Sequence, residues 1–274
     1  MDRFWMRTVV GCLSASAIGV LSSACAHNDS TLFIQGVMLP PSSKTGGVCL
    51  YNASSTSAFQ SEGVFDIGLA SSYGAVLQLG NQMVQRGPSG PGSDPVHTET
   101  NRIVINGAEI TVTDAAGAQR GNFTSVASSF VDVGSSGTAG VGIVGITAID
   151  ATTASGLCDD FPDPQIRKQL IVTVKAFGKT LGGTDVESQD FTYPVTVCKG
   201  CLVDRTSPCI TPTGATPPDA TKTPCQQGAD GAIACAFCAS SYADICVDPL
   251  PANAPQAQVD ARKAKYTKAC AARQ

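Results

Sequence analysis

The sequence predicts a mainly β fold: an immunoglobulin-like antiparallel β-sandwich followed by a small disulfide-rich tail with short helices. Three observations predict it. Between residues 31 and 198, apolar residues recur at every second position in about nine short runs, the pattern of half-buried strands. Ser, Thr, Gly and Pro fill the gaps, and no helical periodicity separates the runs, so a βαβ fold is disfavoured. Eight of the ten cysteines beyond Cys25 lie between 198 and 270, where the composition changes.

The runs follow in order. Leu32, Ile34 and Met38 form the first, with Gly36 among them, and GVCLY at 47–51 the second. Phe65, Ile67 and Leu69 mark a third, and Leu77 and Leu79 a fourth. Ile103 and Ile105 precede Asn106-Gly107, and Ile110 and Val112 follow it. Asn-Gly between two β runs predicts a two-residue hairpin turn, because both central positions tolerate positive φ. Val141 to Ile149, Leu170 to Ala176 and Phe191 to Val197 complete the set. Pro194 interrupts the last run and predicts an edge strand or a bulge, since proline cannot donate to a ladder. Residues 86–97, RGPSGPGSDPVH, read as a surface loop. The single tryptophan is Trp5, so the Cys…Trp…Cys pattern of true immunoglobulin domains is missing.

The tail spans 199–274. Thr206 to Pro224 is rich in Thr and Pro and reads as extended loop. In 232–247, Cys235, Cys238, Tyr242 and Ile245 stand at helical spacing, and 257–273 suits a second helix with Arg262, Lys263, Lys265 and Lys268 outward. So small a region builds little core, and cross-links compensate.

The N-terminus reads as an address. Arg3 and Arg7 precede an uncharged segment, 8–21, and then Ser22-Ser23-Ala24-Cys25. This is the layout of a secretory signal peptide, too short to span a bilayer as a helix. LSSAC resembles the lipobox of bacterial lipoproteins, with Leu21 four places before the cysteine. The resemblance covers residues 1–25. It implies a signal peptide at 1–24, lipidation of Cys25, a spacer at 25–30 and a Gram-negative protein tethered at the outer membrane or cell surface. Ala26, rather than Asp, follows the cysteine, which by that resemblance favours the outer membrane. The alternative is cleavage after Ala24-Cys25-Ala26, which releases a soluble periplasmic or secreted chain beginning at His27.

Charged residues are 15% of the chain and the net charge is −4, which argues against nucleic-acid binding. Only His27 and His97 are available for imidazole chemistry. His97 lies near Asp94, yet no G-x-S-x-G elbow supports a hydrolase. Asp159, Asp160 and Asp163 lack the order of a Ca²⁺ loop and read as a turn beside Cys158, and GADG at 228–231 reads likewise. The pairs Cys198/Cys201 and Cys235/Cys238 have zinc-ligand chemistry, but 33 residues separate them. In an oxidising compartment the expected state of Cys49, Cys158, Cys198, Cys201, Cys209, Cys225, Cys235, Cys238, Cys246 and Cys270 is disulfide, with no metal or cofactor. Cys49 is expected to pair with Cys158 and the other eight among themselves. The function expected is a non-catalytic envelope or surface module, anchored through lipid, whose partner is an envelope protein or polysaccharide. The alternative is a secreted enzyme: a hydrolase using His97, or a disulfide oxidoreductase using a C-x-x-C pair.

Overall fold

The computed structural model describes residues 31–41, 44–45, 48–54, 56–85, 99–135, 137–162, 165–206, 209, 224–238, 244–246, 250–251 and 253–273. The signal segment, Cys25, the 86–97 loop with Asp94 and His97, Asp163 and most of the Thr/Pro stretch lie outside them.

Two larger sheets and a small one organise the chain. The first contains β1 (Leu32–Met38), β2 (Phe59–Gln60), β4 (Tyr73–Asn81) and β7 (Gly140–Ile149), in the order β2-β1-β4-β7 and antiparallel throughout. The second contains β3 (Gly63–Asp66), β5 (Ile103–Asp114), β6 (Gln119–Val131), β8 (Lys168–Thr180) and β10 (Phe191–Cys198), in the order β3-β10-β8-β5-β6. A short strand, β9 (Asp185–Glu187), pairs with β8 beyond the end of β10. In the tail, β11 (Val203–Asp204) pairs in parallel with β12 (Ile233–Ala234). Leu77, Leu79 and Ile146 of the first sheet join Ile105, Ile110, Val172 and Val195 of the second in one hydrophobic core. In β8, Leu170, Val172, Val174 and Ala176 are buried while the residues between them are not, the alternation that period 2 imposes on a one-faced strand.

Several expectations are corrected. The strands are not all antiparallel: β3 runs parallel to β10, with Val195 opposite Gly63 and Cys198 opposite Asp66. A parallel pair needs a long crossover, and β4 to β9 lie between these two strands along the chain. For that reason β10 is flanked on both sides and is no edge. Pro194 lies one residue before the parallel pairing begins, where its missing N–H costs β3 nothing, and the β8–β10 register shows no shift. Residues 48–51 form no strand; Val48 and Leu50 stand exposed.

Asn106-Gly107 is not a hairpin turn. β5 runs through it, and the register with β8 shifts between Ile105 and Gly107. One extra residue in β5 moves the buried set from the odd positions 103 and 105 to the even positions 108, 110 and 112. Gly107 fits because a Cβ there would meet Ser125 O at 2.6 Å and the Phe177 ring at 3.0 Å. The turn between β5 and β6 lies at 115–118. Asp114 Oδ1 accepts from Ala116 N and Ala118 N, and Gly117 adopts φ +84°.

The edges of the two large sheets meet where β6 crosses β7. Ser125 Oγ accepts from Thr147 N at 2.8 Å, and Ser129 Oγ donates to Ile143 O. Serine hydroxyls thus satisfy β7 backbone groups that no further strand pairs. Gly140 and Gly142 lie against the backbone of Asp132 and Phe130, where any Cβ would clash.

Three α-helices are present among the described residues. Asp150 caps α1 (Ala151–Leu157) by accepting from Thr153 N at 2.9 Å. Of the helix expected over 232–247, the described part is α2 (Cys235–Cys238), and 239–243 and 247 lie outside the described residues. The final one, α3 (Gln256–Lys268), begins one residue before the expected span of 257–273 and ends before it does. Among the described residues, no helix is long and apolar enough to cross a membrane.

The expected Cys49–Cys158 bridge is also corrected. Cys49 bonds Cys225 and Cys158 bonds Cys270. Cys49 lies in the loop after β1, against the tail segment at 225, whereas Cys158 is buried at the end of α1, beneath the last turn of the chain. Cys198 bonds Cys201 and Cys209 bonds Cys235, and Cys246 is also in a disulfide. The side chain of Cys238 is outside the described set.

Candidate functional site

The tail packs against the end of β3 through two carboxylates. Asp66 closes β3 and is fully buried. Its Oδ1 accepts from Gly200 N at 2.7 Å and Gly68 N at 3.0 Å, and its Oδ2 accepts from Leu202 N at 2.9 Å. Burial pushes this carboxyl group above its ordinary range, while the N–H groups of Leu202, Gly200 and Gly68 and the charge of Arg167 pull the other way. The side chain thus holds the loop 198–202, whose Gly200 takes φ +75°.

That loop carries the Cys198–Cys201 disulfide. Cys198 is buried and Cys201 half-buried, and both sulfurs lie within 4.8 Å of an Asp66 carboxylate oxygen. Two cysteines and a carboxylate form a metal-ligand set, but with the sulfurs joined neither is a thiolate. Between them, Lys199 is buried. Its Nζ donates to Tyr266 O at 3.2 Å and Thr267 O at 3.1 Å and lies 5.1 Å from the Tyr266 ring centroid. The ammonium group therefore caps the C-terminus of α3, where carbonyls lack partners and the dipole is negative. Tyr266 Oη returns a hydrogen bond to Lys199 O.

The second carboxylate is Asp230. Residues 228–230 run along β3: Asp66 N donates to Gly228 O at 2.8 Å, Asp230 N to Val64 O at 2.9 Å, and Val64 N to Asp230 Oδ1 at 2.8 Å. Tyr73 Oη donates to Asp230 Oδ2 at 2.9 Å, and Gln60 Nε2 to Tyr193 Oη at 2.6 Å. Asp230 has φ +56°, the one described non-glycine residue in the left-handed region. Burial raises its carboxyl pKa, and burial likewise raises the phenols of Tyr73 and Tyr193. Beside this network a cavity of about 350 Å³ opens, lined in part by Tyr51, Ser125, Thr147, Gln226 and Asp230. Gln226 is fixed there, accepting from Gly74 N at 3.1 Å and donating to Ser72 O at 3.1 Å.

Of the residues singled out in the sequence, Cys198 and Cys201 come together, while Cys235 turns away to Cys209. Asp160 is held by Arg120 and by Lys168 at 3.1 Å. Cys25, Asp94 and His97 lie outside the described residues. Asp66, Lys199 and Asp230 were not anticipated as a site. The available signal was Asp66 itself, one acid inside the apolar run Val64 to Leu69, a position that demands buried partners. No protein-family model matches the chain, and a search of curated proteins finds no match.

Proposed function

We propose that this protein is an exported, lipid-anchored, non-catalytic module of the Gram-negative envelope, held at the outer membrane or cell surface through Cys25. The observation that carries the reading is the run from the basic start through the uncharged segment 8–21 to Ser22-Ser23-Ala24-Cys25. Two acyl chains suffice for stable anchoring without a spanning helix. Disulfide bonding of all nine cysteines whose state is described supports an oxidising destination. We read the two large sheets, which share a core and meet at the β6–β7 seam, as the faces of an immunoglobulin-like sandwich.

The cavity at Tyr51 and Asp230 is the surface we assign to the partner. Among the described residues its lining joins apolar side chains such as Val37, Met38 and Ile146 to hydroxyl, amide and carboxylate groups and a tyrosine ring, with no Lys or Arg, a composition suited to the apolar faces and hydroxyl edges of a neutral sugar chain such as an envelope polysaccharide. Expression of the full chain in a Gram-negative host, with separation of soluble, inner-membrane and outer-membrane fractions, tests the anchor. The wild type is expected in the outer-membrane fraction and Cys25→Ser in a different one. Wild type and variant found together in the soluble fraction would contradict the anchor.

A further inference from the structure

Departing from the non-catalytic half of that reading and keeping its anchor, we propose that Cys198–Cys201 is a thiol–disulfide exchange site that oxidises a peptide or protein dithiol, with Cys201 as the sulfur attacked. The first argument is what the bridge does for the fold. Its cysteines are 3 residues apart, against 26, 112 and 176 for Cys209–Cys235, Cys158–Cys270 and Cys49–Cys225. Chain restriction grows with loop length, so among these four bridges this one staples least. Its loop is also held without it. Asp66 grips Gly200 N and Leu202 N, and Lys199 grips the end of α3. The bond can therefore open while the loop stays in place.

The second argument is asymmetry. Cys201 is half-buried and Cys198 fully buried, so Cys201 is the more accessible residue of the pair to an external thiolate. Attack forms a bond to Cys201 Sγ and breaks the Cys198–Cys201 bond, and the electron pair leaves on Cys198 Sγ. The second thiol of the substrate then attacks its own sulfur in the mixed disulfide and releases Cys201. The dithiol loses two electrons and two protons and becomes a disulfide, and Cys198 and Cys201 gain both as thiols. Asp66, Arg167, Lys199, Arg205 and Tyr266 are charged and titratable groups around the loop.

The test uses the full chain and dithiothreitol as the dithiol, with alkylation at timed intervals and peptide mass analysis. Cys49–Cys225 is the internal control for plain accessibility, because both of its cysteines are half-buried. The expected result is alkylation of Cys198 and Cys201 first, roughly tenfold ahead of Cys49 and Cys225, with the far-ultraviolet spectrum retained. Re-formation of the bond is expected after dithiothreitol is replaced by oxidised glutathione. Cys49–Cys225 opening first, or Cys198 and Cys201 reacting only as the spectrum is lost, would overturn the proposal. None of these outcomes bears on the lipid anchor.

Discussion

Cys158, at the end of α1, is bonded to Cys270, 112 residues further along the chain, and both sulfurs lie in the core shared by the two large sheets. The C-terminal turn is thereby fixed to the β-rich part, and Ala271 N adds a hydrogen bond to Ile67 O at 3.0 Å.

Bridge removal should follow loop length. Chain restriction by Cys158–Cys270 and Cys49–Cys225 is worth about 4–5 kcal/mol each, and by Cys198–Cys201 about 2 kcal/mol. Paired Cys→Ala variants in guanidinium denaturation should rank in that order. A Cys198→Ala/Cys201→Ala variant as unstable as Cys158→Ala/Cys270→Ala would contradict the ranking.

Lys199→Met should destabilise the fold by roughly 1–3 kcal/mol, because Tyr266 O and Thr267 O lose their buried donor. Amide exchange should quicken first in the last turn of α3. Loss confined to the β-sheets would point to a different role for the ammonium group.

Gly107→Val should cost more than about 2 kcal/mol, since its Cβ would press on Ser125 O of the neighbouring strand. Gly145→Ala, where nothing lies within 4 Å of the added carbon, is the control and should change stability little. Urea midpoints of the two variants make the comparison.

Asp230 is held above the ordinary 3.8 by burial. The folded state therefore binds more protons than the unfolded one between 3.8 and the raised value. The stability from this group is fully present below 3.8 and is lost as pH rises through the folded pKa. The melting temperature of wild type minus that of Asp230→Asn should accordingly fall as pH rises across that window. A difference that grows with pH would show the carboxylate to be net stabilised by Val64 N and Tyr73.

The strands with strict alternation were legible in the sequence: β8 and β10 bury one face each, and period 2 records that directly. In β7 the alternation is real, but Gly142, Val144, Ile146 and Ala148 are the buried positions, the face opposite to Val141, Ile143, Gly145 and Thr147, and β4 is buried on both faces from Leu77 to Asn81. β6 was not legible, because only Ser125 and Val131 of its residues from Gln119 to Val131 are buried, apolar Val126 and Phe130 stand exposed, and Ser125 and Ser129 serve β7 through hydrogen bonds. Asn106-Gly107 misled because the same dipeptide that suits a turn also suits a bulge; only the phase change from Ile105 to Ala108 distinguishes the two. The carboxylate site was hidden for a further reason. Asp66 and Gly200 meet across 134 residues, and such a contact leaves no local pattern.

The most direct test is the intact mass of the mature protein purified from a Gram-negative host without reductant. The account predicts a chain that begins at Cys25, carries acyl chains and has no free thiol. A mass equal to residues 1–274 with every cysteine reduced would contradict it.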